Sequence, residues 1–274
     1  VTARIERVVV ALDAVSENRA AIDTAVRLAA RWRARLHGVF VEDDDLLRLA
    51  NLPFARQVSL GAGVETLTVQ QAQRQLRAFA EHARRDIAAA ARRRSVEWSF
   101  AVVHGAPGAE MTGAAAGDFL VACTATRPIG GHFRLECRWW SAVEPKAASF
   151  LLATRQGEQT GSVVVLLRNR EPVTDRLLDA AAQLAEAGGG RLTVICPSEL
   201  GQAEGFAAWL GERLAAYTIP VEIDMAPADP AALIGRIVAL EGQLVAIADD
   251  DPQARPANLR QLVARSGCDV LVVR

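Results

Sequence analysis

The chain has 274 residues, of which 51% are hydrophobic and 23% charged, and a net charge of −1. That length suits two domains of ordinary size, and the apolar content is enough for two cores. The near-zero charge gives no global pull towards nucleic acid or an anionic membrane, and no run of about 18 apolar residues offers a transmembrane helix.

The chain opens on a continuous β-rich run, Arg7–Leu12, as expected of a parallel strand buried on both faces. Ser16 and Glu17 stand where they could cap the helical pattern that follows through Ile22 and Leu28. A second strand is predicted over Leu36–Val41. The spacing of Leu67, Ala72, Leu76, Ala80, Ala83 and Ile87 predicts one long amphipathic helix over Val64–Ala91. Glu97–Val103 reads as a third strand, Ala109–Ala116 as a short helix, Phe119–Cys123 as a fourth strand and Ser149–Thr154 as a fifth.

The same order then returns. Strands are predicted at Val163–Leu167, Leu192–Cys196, Val221–Met225, Leu244–Ala248 and Asp269–Val273. Helices are predicted near Thr174–Ala187, Glu204–Ala216, Ala231–Leu240 and Asn258–Arg265. The Gly-bracketed stretch Gly157–Gly161 reads as a linker, which divides the chain into a first domain over 1–156 and a second, trimmed one over 157–274. A repeated βαβ pattern of this size means two copies of one α/β domain. The offset between copies is 155–156 through the second strand and 120 at Ala106-Pro107 against Ala226-Pro227, so the first copy carries 36 extra residues after its second strand. Such an insertion is more often a lid or an interface than a core element.

Cys123, Cys137, Cys196 and Cys268 show no C-x-x-C spacing and read as buried free thiols. With a strand starting inside the first ten residues there is no room for a signal peptide, so the expected location is the cytoplasm.

The chain resembles the universal stress protein family. The residues that carry the resemblance are Val8–Asp13, the strand Leu36–Glu42, the step Gly105-Ala106-Pro107 and the closing run Gly267–Val273, together with their order and duplication. The resemblance implies two Rossmann-like α/β domains, each an open five-stranded parallel sheet flanked by helices, with strands ordered 3-2-1-4-5. The family commonly pairs two such domains through their last strands. A tandem chain could make that pair internally, as a pseudo-dimer, and could dimerise again.

Many family members bind ATP at the carboxyl ends of the strands, where open α/β sheets generally hold ligands. The implied pattern is an Asp after strand one, then Gly-x-x-Gly, nine residues, and Gly followed by Ser or Thr after strand four. Such glycines let backbone N–H groups approach phosphate oxygens. The first copy keeps the acid as Asp13, but Gly130 and Gly131 are adjacent and the Gly-Ser/Thr end is missing. The second copy has Arg168 in place of the Asp, and Asp249-Asp250-Asp251 where phosphate would sit; like charges there oppose a nucleotide. No ATP is expected in the second copy, and ATP in the first is not favoured.

The segment Arg127–Trp140 holds Arg127, His132, Arg134, Arg138, Trp139 and Trp140. It suits an anionic or aromatic ligand, and it equally suits an interface, since Arg and Trp are interface residues. Asp13 could hold a ribose or an adenine amine, or simply cap its turn. The candidate ligand site is therefore Asp13, Val41 at the end of strand two, and Arg127, Gly130, Gly131, His132 and Arg134. The acidic runs Glu42–Asp45 and Asp249–Asp251 read as solvated surface, and His37 and His104 as structural or surface histidines with no zinc spacing. Ser16, His104 and Asp118 suggest a triad only on paper, because there is no G-x-S-x-G elbow. There is no Walker motif and no G-x-G-x-x-G after strand one.

The expectation is a non-enzymatic stress-response protein with no cofactor or metal, acting on a small anionic or nucleotide ligand or on a protein partner. No nucleic-acid or membrane partner is expected. The alternatives are an adenine-nucleotide-binding protein with weak ATPase activity in its first copy, and a purely structural interaction module.

Overall fold

The computed structural model describes residues 5–14, 18–42, 47–48, 50–59, 63–104, 118–123, 149–153, 162–226, 230–240 and 242–273. They fall into two compact units, Ile5–Ala147 and Ala148–Arg274.

In the first unit the central strands are β1 (Arg7–Leu12), β2 (Arg35–Glu42), β5 (Trp98–His104) and β6 (Asp118–Cys123), all parallel, in the order β5-β2-β1-β6. Val8, Val10 and Leu12 are inaccessible to solvent, as are Leu36 and Phe40 on β2, so this is the core. Helix α1 (Asn18–Trp32) turns Ala21, Ile22, Ala25, Val26, Leu28 and Ala29 inward, and its last residue, Trp32, meets Phe119 of β6 edge-to-face at 4.9 Å.

The 36-residue insertion contains an antiparallel hairpin, β3 (Arg56–Ser59) and β4 (Gly63–Thr66), followed by helix α2 (Val69–Arg93). The helix expected over Val64–Ala91 therefore starts five residues later. Val64-Glu65-Thr66 is β-prone, and Thr68 with Gln71 forms a capping box: the Gln71 N–H donates to Thr68 Oγ1 at 3.3 Å, and the Thr68 N–H to Gln71 Oε1 at 2.9 Å. The cap sets the helix start where apolar spacing alone runs on through it. Gly38, in the middle of β2, lets α2 approach: a Cβ there would strike Ile87 Cδ1 and lie 2.9 Å from Phe100 Cδ2.

In the second unit β8 (Val163–Leu166), β9 (Leu192–Cys196), β10 (Val221–Met225), β11 (Leu244–Ala248) and β12 (Asp269–Val273) run parallel in the order β10-β9-β8-β11-β12, the 3-2-1-4-5 arrangement. Its helices are α3 (Pro172–Ala187), α4 (Ser198–Gly201), α5 (Phe206–Leu214), α6 (Pro230–Ala239) and α7 (Pro256–Ser266). The single helix expected over Glu204–Ala216 starts at Phe206, because Gly205 takes a left-handed conformation (φ 73°) just before it.

Strand β7 (Ser149–Ala153), read from sequence as the first copy's fifth strand, is hydrogen-bonded antiparallel to β12, with Leu151 opposite Leu271. It therefore falls in the second unit, and the two units divide at Ala147/Ala148, where the linker reading placed the division at 156/157. The linker 157–161 and the short helix expected at 109–116 lie outside the described residues. Among the described residues no helix is long and apolar enough to cross a membrane.

Candidate functional site

In an open parallel sheet the ligand crevice lies at the carboxyl ends of the strands, where the strand order reverses. That point is between β1 and β6 in the first unit and between β8 and β11 in the second.

In the first unit Asp13 follows directly on β1. Its backbone is clamped by Asn18, the first residue of α1: the Asp13 N–H donates to Asn18 Oδ1 at 3.3 Å, and Asn18 Nδ2 donates to the Asp13 carbonyl at 2.8 Å. Asn18 was missed in the sequence reading. An Asn five residues after an acid at a strand end is the signal that could have found it, since its amide both donates and accepts. Val41, on the neighbouring strand, is buried at 2% exposure. The register that pairs Leu12 with Phe40 brings Asp13 alongside it. Arg127, Gly130, Gly131, His132 and Arg134 lie outside the described residues, as does the rest of the basic segment up to Trp140.

In the second unit the residue at the corresponding place is engaged within the protein. Arg168, which stands where the first copy has Asp13, turns to Asp251: Nε donates to Oδ2 at 3.1 Å. The other oxygen of that carboxylate accepts the Gln253 N–H at 2.7 Å, so both are engaged within the protein. The Asp251 side chain is 2% exposed, and Gln253 is buried with it. Asp251 is thus not solvated surface, as its place in a run of three aspartates had indicated; Asp249 and Asp250 are the exposed members. The loop before α3 is tied down too, because Asn169 accepts from the Glu171 N–H at 3.3 Å and from Thr174 Oγ1 at 3.2 Å. Arg168, Cys196, Ala226 and Leu233 line a small pocket of about 10 Å³ beside this pair, room for about one water.

Other residues named from sequence are dispersed. His37 pairs with Ser99 Oγ at 2.7 Å across β2 and β5. His104 ends β5 and Asp118 begins β6, at opposite ends of parallel strands, so they cannot join one triad; Ser16 lies outside the described residues. Glu42 ends β2 directly opposite His104, and the two meet at 2.8 Å between Glu42 Oε2 and His104 Nδ1. Glu42 is only 9% exposed and is a buried, paired carboxylate, unlike the solvated run in which it was read. Cys196 and Cys268 are buried free thiols, and burial pushes both above the usual thiol range, helped by Asp224 and Asp269 respectively. Among the described residues no group of three or more His, Cys, Asp or Glu is placed to hold a metal ion.

No protein-family model matches the sequence, and no curated protein matches it. Solved structures do match over nearly the whole chain. A universal stress protein from Archaeoglobus fulgidus DSM 4304 aligns with a TM-score of 0.66 at 13% identity, covering 97% of this chain and 96% of its own. A putative universal stress protein from Pseudomonas aeruginosa UCBPP-PA14 aligns at 0.60 with 16% identity, covering 99% and 94%. A functionally unknown protein from Pseudomonas aeruginosa PAO1 aligns at 0.59 with 15% identity, covering 99% and 93%. Over 97–99% of its length the chain has the fold of these universal stress protein structures.

Proposed function

We propose that this chain acts in a stress response in the manner of a universal stress protein, without catalysis, by binding a small anionic ligand or a partner through its first copy. The observation that supports this is the inequality of the two crevices. In the second, Arg168 stands where the acid would be and is paired with the buried Asp251. In the first, an acid stands at the end of β1 on a backbone held rigid by Asn18. A copy whose ligand is replaced by an internal ion pair keeps the fold and gives up the site, and the other copy is left to bind. The cytoplasm is the proposed location.

Incubation of the full chain with ATP and magnesium tests the reading. No phosphate release above buffer is expected. A second reading, an adenine nucleotide with slow hydrolysis in the first copy, draws support from Asp13 standing where the family's acid stands. Phosphate release that disappears in Asp13→Ala would establish that second reading and overturn the first.

A further inference from the structure

Val102 is open to solvent at 42% although it is a large apolar residue on a sheet face that a helix covers. The reason is a groove of about 480 Å³, within the size range of small-molecule sites. It belongs to the carboxyl ends of β2 and β5, one strand further out than the Asp13 crevice. The register pairs Phe40 with Val102 and Glu42 with His104, so these four share one face of the sheet. Gly38 and Phe100, two residues back on that face, meet Ile87 of α2. The earlier turns of α2 therefore face the strand ends, where Gln73, Arg77 and Glu81 line the groove in an i, i+4, i+8 stripe.

The charges in this groove are unevenly matched. The Glu42 carboxylate can only accept, so the Nδ1–H of His104 donates to it, fixing the ring and leaving Nε2 as its outward group. The Glu81 carboxylate is taken by Arg84, at 3.1 Å from both Nε and Nη2. Arg77 and Gln73 are left with no ion pair or hydrogen bond to any described residue. An uncommitted guanidinium thus lines the same groove as an oriented imidazole, with Val102 and Ala80 as its apolar lining.

We propose that this groove binds a small organic anion, a carboxylate or a phosphate ester. Arg77 and the Nε2 of His104 take its oxygens and Val102 takes its short apolar part. Carboxylate and phosphate share the chemistry a guanidinium recognises, and the groove is read independently of Asp13.

The test follows the ring resonances of His104 in the full-length protein, assigned by their loss in His104→Gln, during titration with butanoate, butyl phosphate and butylammonium. A saturable shift is expected with butanoate or butyl phosphate and none with butylammonium. The anion that saturates at lower concentration identifies the source. Arg77→Ala should weaken binding about tenfold, and Arg92→Ala, which removes the same charge from the last turn of the same helix, should not. No saturable shift with either anion, an equal response to butylammonium, or unchanged affinity in Arg77→Ala overturns the proposal.

Discussion

Two single residues decide the character of the second unit. Arg168 pairs with the Oδ2 of an almost fully buried carboxylate, Asp251. Removing one partner of such a pair leaves the other charge stranded, which costs more than the pair contributes. Arg168→Ala is therefore predicted to destabilise the protein by about 3 kcal/mol, reduced to the extent that water reaches the partly open arginine site. Arg168→Ala with Asp251→Ala should cost less than the sum of the two single changes, by roughly 1–3 kcal/mol in a denaturant double-mutant cycle. Simple additivity would show that the two side chains do not act as a pair.

Asp179 on α3 tests the same physics with a different sign. Burial raises its carboxyl above the usual carboxylate range, while a hydrogen bond donated by Tyr217 Oη at 3.4 Å works against the rise. The folded protein therefore holds this proton more tightly than the unfolded chain. The associated stability is full below the ordinary carboxylate range and is lost as pH rises through the raised value. At neutral pH the charge is carried at a cost. Asp179→Asn keeps an acceptor for Tyr217 and removes that cost, so its thermal midpoint at pH 7 should lie above that of the parent. The gap should close below about pH 4. A midpoint lowered at pH 7 would contradict this.

At the scale of elements, the strands were legible and the insertion was not. A buried parallel strand is a near-continuous apolar run, and every strand of the second unit was readable to within a residue. The insertion holds a hairpin whose short strands sit beside a strong helical period, and only the Thr68–Gln71 cap separates them. The pairings that matter for function were also hidden. Arg168 and Asp251 lie 83 residues apart, and Glu42 and His104 meet only because β2 and β5 pair in one particular register. All four residues were visible in the sequence; what was missing was the register. The glycine in β2 was quoted there as part of a motif, and the structure gives it a job in packing. Gly38→Ala should cost about 1–3 kcal/mol, because the added methyl meets Ile87, which is inaccessible to solvent, and Phe100. Adding Ile87→Val, which removes the Cδ1 in the way, should recover part of that loss in chemical denaturation. No recovery would show that the strain lies elsewhere.

At the scale of the molecule, the strand order β5-β2-β1-β6 of the first unit matches β10-β9-β8-β11 of the second, as two copies of one fold would. The fold was legible from the repeat and its order, and the solved structures agree with it over nearly the full chain. The candidate site was legible only in part. The strand register sets Asp13 alongside Val41, and the remaining named residues fall outside the described ones. The two copies differ at the residue after strand one, Asp13 against Arg168, and burial divides the aspartate run of the second. Asp251 is buried and paired with Arg168, while Asp249 and Asp250 are exposed. An arginine already paired within the protein supports the proposal that binding falls to the first copy.

Native mass spectrometry of the full chain, purified without denaturation and then exposed to adenine nucleotides and small organic anions in turn, tests that division most directly. The prediction is that the strand-one crevices together hold one molecule per chain, released in Asp13→Ala and retained in Arg168→Ala, with His104→Gln separating any molecule held in the α2 groove. Retention in Asp13→Ala together with loss in Arg168→Ala would place the ligand in the second copy and contradict the account.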